Sequence, residues 1–115
     1  MVLDLAAVLN ALADPSRRVL LQRLAHGPAT SGQLAELLSV SRPATSQHLQ
    51  VLQAAGLVRS TALGRHRWHE LAPGPLYLVE QWVRSLADTW AAAPTLDDRA
   101  GAPQRTAESR KENTP

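Results

Sequence analysis

The sequence predicts a mostly α-helical fold that contains one β-hairpin. Hydrophobic residues make up 44% of the chain and are mainly Leu, Ala and Val, whereas aromatic residues make up only 3%. Leu and Ala are strong helix formers. Apolar residues recur at the three- and four-residue spacing of a helix on both sides of residues 57–71. With 115 residues, the chain has room for one compact domain.

Two helices are expected in the first part of the chain. The first covers residues 3–13, and Asp14 followed by Pro15 starts a second that runs to about residue 25. Asp is a preferred N-cap because its side chain accepts a hydrogen bond from a free backbone N–H, and Pro is tolerated in the first turn. The pair therefore predicts a sharp turn between consecutive helices.

Two further helices are separated by a three-residue turn. Thr30 and Gln33 have the spacing of a capping box, in which each side chain satisfies the backbone N–H of the other residue, and they start a short helix. After the turn at residues 39–41, Ser41 caps a longer helix that Gly56 ends in a left-handed conformation. The residues of the short helix expected to face inward are Leu34, Leu37 and Leu38.

A hairpin and a last helix follow. Residues 57–61 and 67–71 contain β-branched or aromatic residues in partial alternation, with a tight turn at residues 63–66 between them. This pattern predicts two antiparallel strands. Residues 76–93 carry one apolar stripe at helical spacing, which predicts the final helix.

The predicted order, α-α-α-α-β-β-α, is that of a winged helix-turn-helix. The short helix, the turn and the longer helix form the helix-turn-helix, whose second helix enters the DNA major groove, and the hairpin is the wing. We expect this domain to cover residues 1–93. Residues 94–115 are polar, mixed in charge and without periodicity, so we expect a disordered or loosely attached tail.

The longer helix has one face suited to reading DNA. On a helical wheel Thr45, Leu49 and Leu52 share the side expected to face the domain, and small or polar residues lie opposite. Arg42 is suited to a guanine edge or a phosphate, and Gln47 to adenine. Arginine in the wing is favoured along the DNA backbone or in the minor groove. The expected DNA-contacting residues are Ser41, Arg42, Pro43, Ser46, Gln47 and Gln50 in the longer helix, Arg65, His66 and Arg67 in the wing, and Thr30, Ser31 and Gln33 at the start of the short helix.

Charge is distributed unevenly along a chain whose formal net charge is only +2. No acidic residue occurs between Glu36 and Glu70. A stretch of one sign in a nearly neutral chain is typical of a surface that meets phosphate, and a solvated positive face without a partner is the alternative. The arginines of that interval are Arg42, Arg59, Arg65 and Arg67.

The helix-turn-helix segment resembles a known family. Residues 34–52, LAELLSVSRPATSQHLQVL, resemble the helix-turn-helix signature of the ArsR/SmtB family of transcriptional regulators. The segments 12–18 and 55–58 are also similar to that family. The resemblance covers about residues 5–90. It implies a dimeric winged-helix repressor that pairs through its first and last helices. The DNA contacts that it implies, besides the wing, are Ser41, Arg42, Ser46 and Gln47.

A second copy of the chain and double-stranded DNA are the expected partners. Pairing through the first and last helices sets two recognition helices about 34 Å apart in successive major grooves, which requires an inverted-repeat operator. Trp82 and Trp90 leave a second interpretation open, a pocket for an unknown small-molecule effector. The residues expected at the dimer interface are Leu5, Leu9, Leu12, Val79, Trp82, Val83, Leu86 and Trp90.

Metal sensing and catalysis are not expected. The chain has no cysteine, so Ser39, Val40 and Ser41 stand where metal-sensing members of the resembled family need thiolates. The last helix carries Glu80 and Asp88 but no histidine where the family has a second metal site. The resemblance therefore implies the metal-independent branch, without a cofactor. Acidic residues are few and no glycine-rich phosphate loop occurs, so no residue is assigned a catalytic role.

One alternative of a different class remains, a winged helix that binds only protein and has lost its positive face. The acid-free interval argues against it. The chain has no N-terminal signal pattern and no run that approaches the roughly 20 apolar residues of a membrane span. We therefore expect a cytoplasmic protein with no membrane partner.

Overall fold

The computed structural model describes residues 4–99, and within them the predicted order of elements is confirmed with two additions. A two-residue strand precedes the third helix, and a short helix follows the last predicted helix. The elements are α1 (Leu5–Leu12), α2 (Pro15–Leu24), β1 (Ala29–Thr30), α3 (Ser31–Leu37), α4 (Arg42–Ala54), β2 (Val58–Leu63), β3 (His66–Leu71), α5 (Gly74–Ala92) and α6 (Leu96–Arg99).

The second and fourth helices begin at the predicted caps. Asp14 Oδ1 accepts hydrogen bonds from the backbone N–H groups of Ser16, at 2.8 Å, and Arg17, at 3.2 Å. These bonds, chiefly the one from Arg17, hold the pKa of the Asp14 carboxyl below its ordinary value. Ser41 Oγ accepts from the backbone N–H of Ala44 at 3.2 Å. Local capping chemistry therefore fixes where α2 and α4 start.

The predicted turn of the hairpin of β2 and β3 is confirmed. Leu63 lies opposite His66 in the antiparallel pair, so residues 63–66 form a four-residue turn with Gly64 and Arg65 at its centre. The strands reach the ends of this turn, so β2 extends two residues and β3 one residue beyond the predicted strand bounds on that side. Gly64 has a φ of 60°, whereas no non-glycine residue among residues 4–99 has a positive φ. A two-residue turn with glycine first is the type II′ turn, whose twist matches that of the flanking strands. Arg65 is thereby left at the tip of the wing.

The strand β1 has no counterpart among the predicted elements, because two residues are too few to carry a period. It pairs antiparallel with β3, with Ala29 opposite His69 and Thr30 opposite Trp68. The sheet therefore has the order β1-β3-β2. Since β1 leads directly into α3, this pairing fastens the start of α3 to the wing.

One apolar core holds the helices against the sheet. The helix α3 contributes Leu34, which is fully buried, and Leu38, which is 7% exposed. The expectation that Leu37 faces inward is wrong, since it is 46% exposed. The helix ends at Leu37, and Leu38 is already extended, so its side chain turns into the core instead. The buried apolar residues are Val8, Ala11, Leu20, Leu21, Leu24, Ala29, Leu34, Leu38, Leu49, Leu52, Ala55, Leu57 and Val58.

The last long helix starts earlier than predicted and crosses a boundary between two compact units. It begins at Gly74 rather than at residue 76, because Pro75 falls in the first turn, where the missing N–H costs nothing. Its residues Leu76 and Val79 pack against the core. The boundary between the units follows Trp82.

The second unit contains the end of α5 and the short helix α6. The backbone N–H of Thr95 donates to Asp98 Oδ2 at 2.9 Å, and the backbone N–H of Asp98 donates to Thr95 Oγ1 at 3.2 Å. This reciprocal pair starts a helix in the segment 94–115, for which a disordered or loose tail was expected. Residues 100–115 of that segment lie outside the described residues.

Candidate nucleic-acid interface

The helix α4 presents two different faces. Thr45, Leu49 and Leu52 are 2%, 3% and 0% exposed, so their predicted inward orientation is confirmed. The Thr45 hydroxyl donates to the Ser41 carbonyl oxygen at 3.1 Å, which satisfies this buried polar group. The opposite side of the helix is open to solvent. Its exposed residues include Ser41, Arg42, Pro43, Ser46, Gln47 and Gln50.

A groove of about 700 Å³ joins the start of α3, the start of α4 and the wing. Seven of the twelve residues predicted to contact DNA line it, although they come from three separate parts of the sequence. The other five, which are the N-cap Ser41 and four residues of α4, lie outside this groove. The lining residues are Thr30, Ser31, Gly32, Gln33, Glu36, Arg42, Arg65, His66, Arg67 and Trp68.

The groove is predominantly basic. Arg42, Arg65 and Arg67 form no ion pair within residues 4–99. By contrast, Arg59 on the neighbouring strand forms an ion pair in which its Nη2 lies 3.8 Å from Glu70 Oε1. One carboxylate, that of Glu36, also lines the groove. Unpaired guanidinium groups around a concavity suit an anion such as a DNA phosphate.

The polar side chains at the start of α3 already have partners within the protein. The predicted capping box is confirmed: the backbone N–H of Gln33 donates to Thr30 Oγ1 at 3.2 Å, and that of Thr30 donates to Gln33 Oε1 at 2.9 Å. Each of these side chains still keeps a hydrogen that it can donate, the hydroxyl hydrogen of Thr30 and the amide hydrogens of Gln33. Capping and phosphate contact are therefore compatible at these two residues.

A buried histidine is hydrogen-bonded to Ser31, one of the groove residues. His69 is 2% exposed. Its Nε2 lies 2.8 Å from Ser31 Oγ, and its Nδ1 lies 2.6 Å from Ser60 Oγ. Gln53 Nε2 in turn donates to Ser60 Oγ at 2.5 Å. Side chains from α3, β3, β2 and α4 are thus joined in one series.

Burial favours the neutral form of this histidine. Loss of solvent lowers the pKa of His69, and the positive charge of Arg67 lowers it further. His69 is the last residue of the acid-free interval, and no structural role was predicted for it. Strand alternation was the available signal, since residues two apart in β3 face the same side and place His69 on the face of Leu71.

The residues predicted for the dimer interface differ in exposure. Leu5 and Leu9 on α1 are half-buried, and Leu12 and Val79 pack partly against the core of their own chain. The α5 residues predicted for the interface and exposed by 42–53% are Trp82, Val83, Leu86 and Trp90.

Three further features bear on ligands. Trp90 lines a cleft of about 390 Å³ with residues 93–97, and Trp82 does not contribute to it. Within residues 4–99, no three histidine or acidic side chains form a group suited to a metal ion. Over the same range no helix combines the length and the apolar character needed to cross a membrane.

Comparison with known proteins identifies the family. A family model described as a helix-turn-helix domain matches residues 12–61. The HTH-type transcriptional regulator Rv2034 of Mycobacterium tuberculosis is 47% identical over 82 residues, which cover 67% of this chain and 77% of that protein. The crystal structure of the ArsR family transcriptional regulator RHA00566 superposes with a TM-score of 0.74 at 33% identity, over 78% of this chain and 93% of that one. The chain belongs to the ArsR family.

Other comparisons agree with this assignment. The transcriptional repressor SdpR of Bacillus subtilis is 34% identical over 76 residues, which cover 66% of this chain and 84% of SdpR. The residues matched by the helix-turn-helix model contain both α3 and α4. The ArsR-family protein described here is therefore a DNA-binding transcriptional regulator, and the alternative of a module that binds only protein is not favoured.

Proposed function

We propose that this ArsR-family regulator is a homodimeric repressor that binds an inverted-repeat operator through α4 and the wing. The observation that carries the proposal is the groove in which Arg42, Arg65 and Arg67 converge beside the exposed face of α4. Repression, rather than activation, is supported by the similarity to the repressor SdpR.

The two parts of the interface have different tasks. Ser46, Gln47 and Gln50 lie on the exposed side of α4 outside the groove, and they contact base edges in the major groove. Bidentate contacts of Gln with adenine and of Arg with guanine carry sequence information. The groove residues hold the phosphate backbone, which fixes register and contributes most of the affinity. Arg42, at the first turn of α4, belongs to both parts.

A second copy of the chain completes the regulator. Val83 and Leu86 are 52% and 53% exposed on α5, and exposed apolar side chains grouped on one helix face mark an interaction surface. Pairing through α1 and α5 buries this face and gives the complex the twofold symmetry of an inverted repeat.

The protein acts by binding rather than by catalysis. The serine hydroxyls of α4 are explained by capping and by DNA contact, and its relatives are named as regulators. A small-molecule effector is a further proposal, for which the cleft at Trp90 is the candidate site. Binding of an effector there is expected to change the affinity for the operator, which links the two sites reciprocally.

Footprinting on the DNA upstream of the protein's own gene tests the proposal. The expected result is one protected site with twofold symmetry, whose two halves are separated by about one helical turn. The exposed variant Ser39→Ala, outside both contact groups, serves as the matched control for Gln47→Ala and should protect the site like the wild type. A purified protein that binds no duplex at low salt, while pulling down one defined protein partner, contradicts the proposal and favours the interaction module.

A further inference from the structure

The hydrogen-bonded series Gln53–Ser60–His69–Ser31 runs from the C-terminal half of α4 to the basic groove. The donor and the acceptor of each of its bonds can be assigned. The Gln53 amide nitrogen only donates, so Ser60 Oγ accepts this bond at 2.5 Å. Ser60 then needs an acceptor for its own hydrogen, and His69 Nδ1 lies 2.6 Å away. If Nδ1 carried the hydrogen instead, Ser60 would accept twice and its hydroxyl hydrogen would have no partner within residues 4–99.

The state of the imidazole follows from this direction. A neutral histidine has one N–H, and with Nδ1 as acceptor that hydrogen is on Nε2. Burial lowers the pKa of His69 and so favours the neutral ring. The Nε2–H group donates to Ser31 Oγ at 2.8 Å. Ser31 thus receives a hydrogen bond from inside the protein, and its own hydroxyl hydrogen is left over.

The leftover hydrogen belongs to a residue of the groove. Ser31 lines the concavity together with Arg42 and Arg67, and its hydroxyl has no other hydrogen-bond partner within residues 4–99. A hydroxyl that accepts one hydrogen bond becomes a stronger donor to the next acceptor, because bonds in a chain polarise one another. A phosphate oxygen is the acceptor that a groove lined by Arg42, Arg65 and Arg67 recruits.

We propose that His69 is a positioning residue for DNA, which orients the Ser31 hydroxyl as a donor to a backbone phosphate. The proposal rests on the proposed function and adds to it a specific phosphate contact and the buried side chains that set it up. His69 itself touches no DNA, since it is 2% exposed. Ser60 acts indirectly, because its hydrogen bond to Nδ1 selects the tautomer of His69.

The first test needs no DNA. Nitrogen-15 NMR of the imidazole ring in the full chain distinguishes the two neutral tautomers. We expect His69 to carry its hydrogen on Nε2 in the wild type and to lose this preference in Ser60→Ala. If the hydrogen resides on Nδ1, the series runs in the opposite direction, Ser31 donates to His69, and the proposal is overturned.

The second test is a double-mutant cycle read by fluorescence anisotropy on a nonspecific duplex of about 30 base pairs, long enough for two successive half-sites. Ser31→Ala is expected to weaken binding roughly tenfold per protomer, and so about a hundredfold for the proposed dimer, as for the loss of one hydrogen bond to a charged group in each copy. Ser60→Ala weakens it by a smaller factor, and the double variant is no weaker than Ser31→Ala, because both changes remove the same contact. The dependence of affinity on salt stays unchanged, since a neutral hydroxyl releases no counterion.

Two controls separate positioning from a general loss of structure. Thr61→Val removes the hydroxyl next to Ser60 in β2 that does not line the groove, and it should bind like the wild type. His69→Gln keeps an N–H donor near the position of Nε2 and is expected to retain most of the affinity, whereas His69→Leu should match Ser31→Ala. Thermal unfolding of each variant verifies that it is folded at the assay temperature.

The outcomes distinguish the two proposals. If the wild type binds no duplex, the proposed function fails and the phosphate contact of Ser31 fails with it. If the wild type binds while folded Ser60→Ala and His69→Leu bind equally well, DNA binding stands and the positioning role is overturned. Additive losses in the cycle also overturn it, because independent effects do not pass through one hydroxyl.

Discussion

Removing single arginines from the groove gives a sharp test of the DNA interface. Arg42 and Arg65 line the groove without an ion pair in the described part of the chain, so each is expected to neutralise one phosphate. Every neutralised phosphate contributes about 0.9 to the slope of log affinity against log salt concentration. Over the fourfold change from about 50 to 200 mM salt, one contact therefore accounts for about 0.5 log unit, or roughly 3.5-fold in affinity.

The assay is a salt titration of anisotropy on a nonspecific duplex. Each substitution removes the contact from both protomers of the proposed dimer, so Arg42→Ala and Arg65→Ala are each expected to bind less tightly at low salt and to show a slope smaller by about 1.8. Their deficit relative to the wild type should therefore narrow as salt increases. Arg59→Ala is the matched control, because Arg59 is on the same hairpin but pairs with Glu70 at 3.8 Å and does not line the groove.

Two results would refute this reasoning. In the first, Arg59→Ala reduces the slope of log affinity against log salt concentration as much as Arg65→Ala does. The positive charge of the whole hairpin, rather than the groove, would then account for binding. The other is an unchanged slope for both groove variants. For Arg42 a third pattern carries information: a loss of about 1–3 kcal/mol on the operator, with little loss on other sequences, assigns it to a guanine rather than to a phosphate.

Three more predictions concern assembly and stability. Leu86→Glu buries a charge in the proposed dimer interface and is expected to give a monomer in analytical ultracentrifugation, whereas Gln81→Glu on the same helix stays dimeric. Leu34→Ala should lower the free energy of unfolding, measured by urea titration, by about 2–5 kcal/mol because Leu34 is fully buried. Leu37→Ala is the control: Leu37 is 46% exposed, so its loss should lower the free energy of unfolding by less than about 1 kcal/mol. The pKa of His69 is lowered in the folded state, so on acidification the unfolded chain takes up a proton before the folded chain does. The contribution of His69 to the free energy of unfolding is therefore fully present above about pH 6.5. It is lost as the pH decreases from there toward the folded-state pKa. Urea titrations at about pH 7.5 and 5.5 should show this decrease in the wild type and a smaller one in His69→Gln.

The helix starts were predictable because each depends on a few neighbouring residues. Asp14 before Pro15, and Thr30 three residues before Gln33, form in the structure the hydrogen bonds that their spacing predicts. The inward face of α4 was predictable for a similar reason, since the helical repeat alone sets which side chains lie together. Function could be assigned from the same segment, because the helix-turn-helix is contiguous in sequence.

Features that depend on pairing between distant segments were not predictable. β1 exists because Ala29 and Thr30 find partners in β3 some forty residues later, and two residues carry no pattern of their own. The contact of Ser31 with His69 depends on that pairing. Ser31 was predicted to contact phosphate, but the buried partner that orients its hydroxyl was not, because nothing in the sequence relates the two positions.

The charge of the groove illustrates the difference between distance in sequence and distance in space. The acid-free interval is bounded by Glu36 and contains Arg59, so counting along the chain places the first outside the basic surface and the second within it. The fold reverses both positions: Glu36 lines the groove, and Arg59 turns away from it to pair with Glu70. Three arginines and one glutamate therefore line the groove, so repulsion between the Glu36 carboxylate and a phosphate is expected to offset part of the attraction of the guanidinium groups.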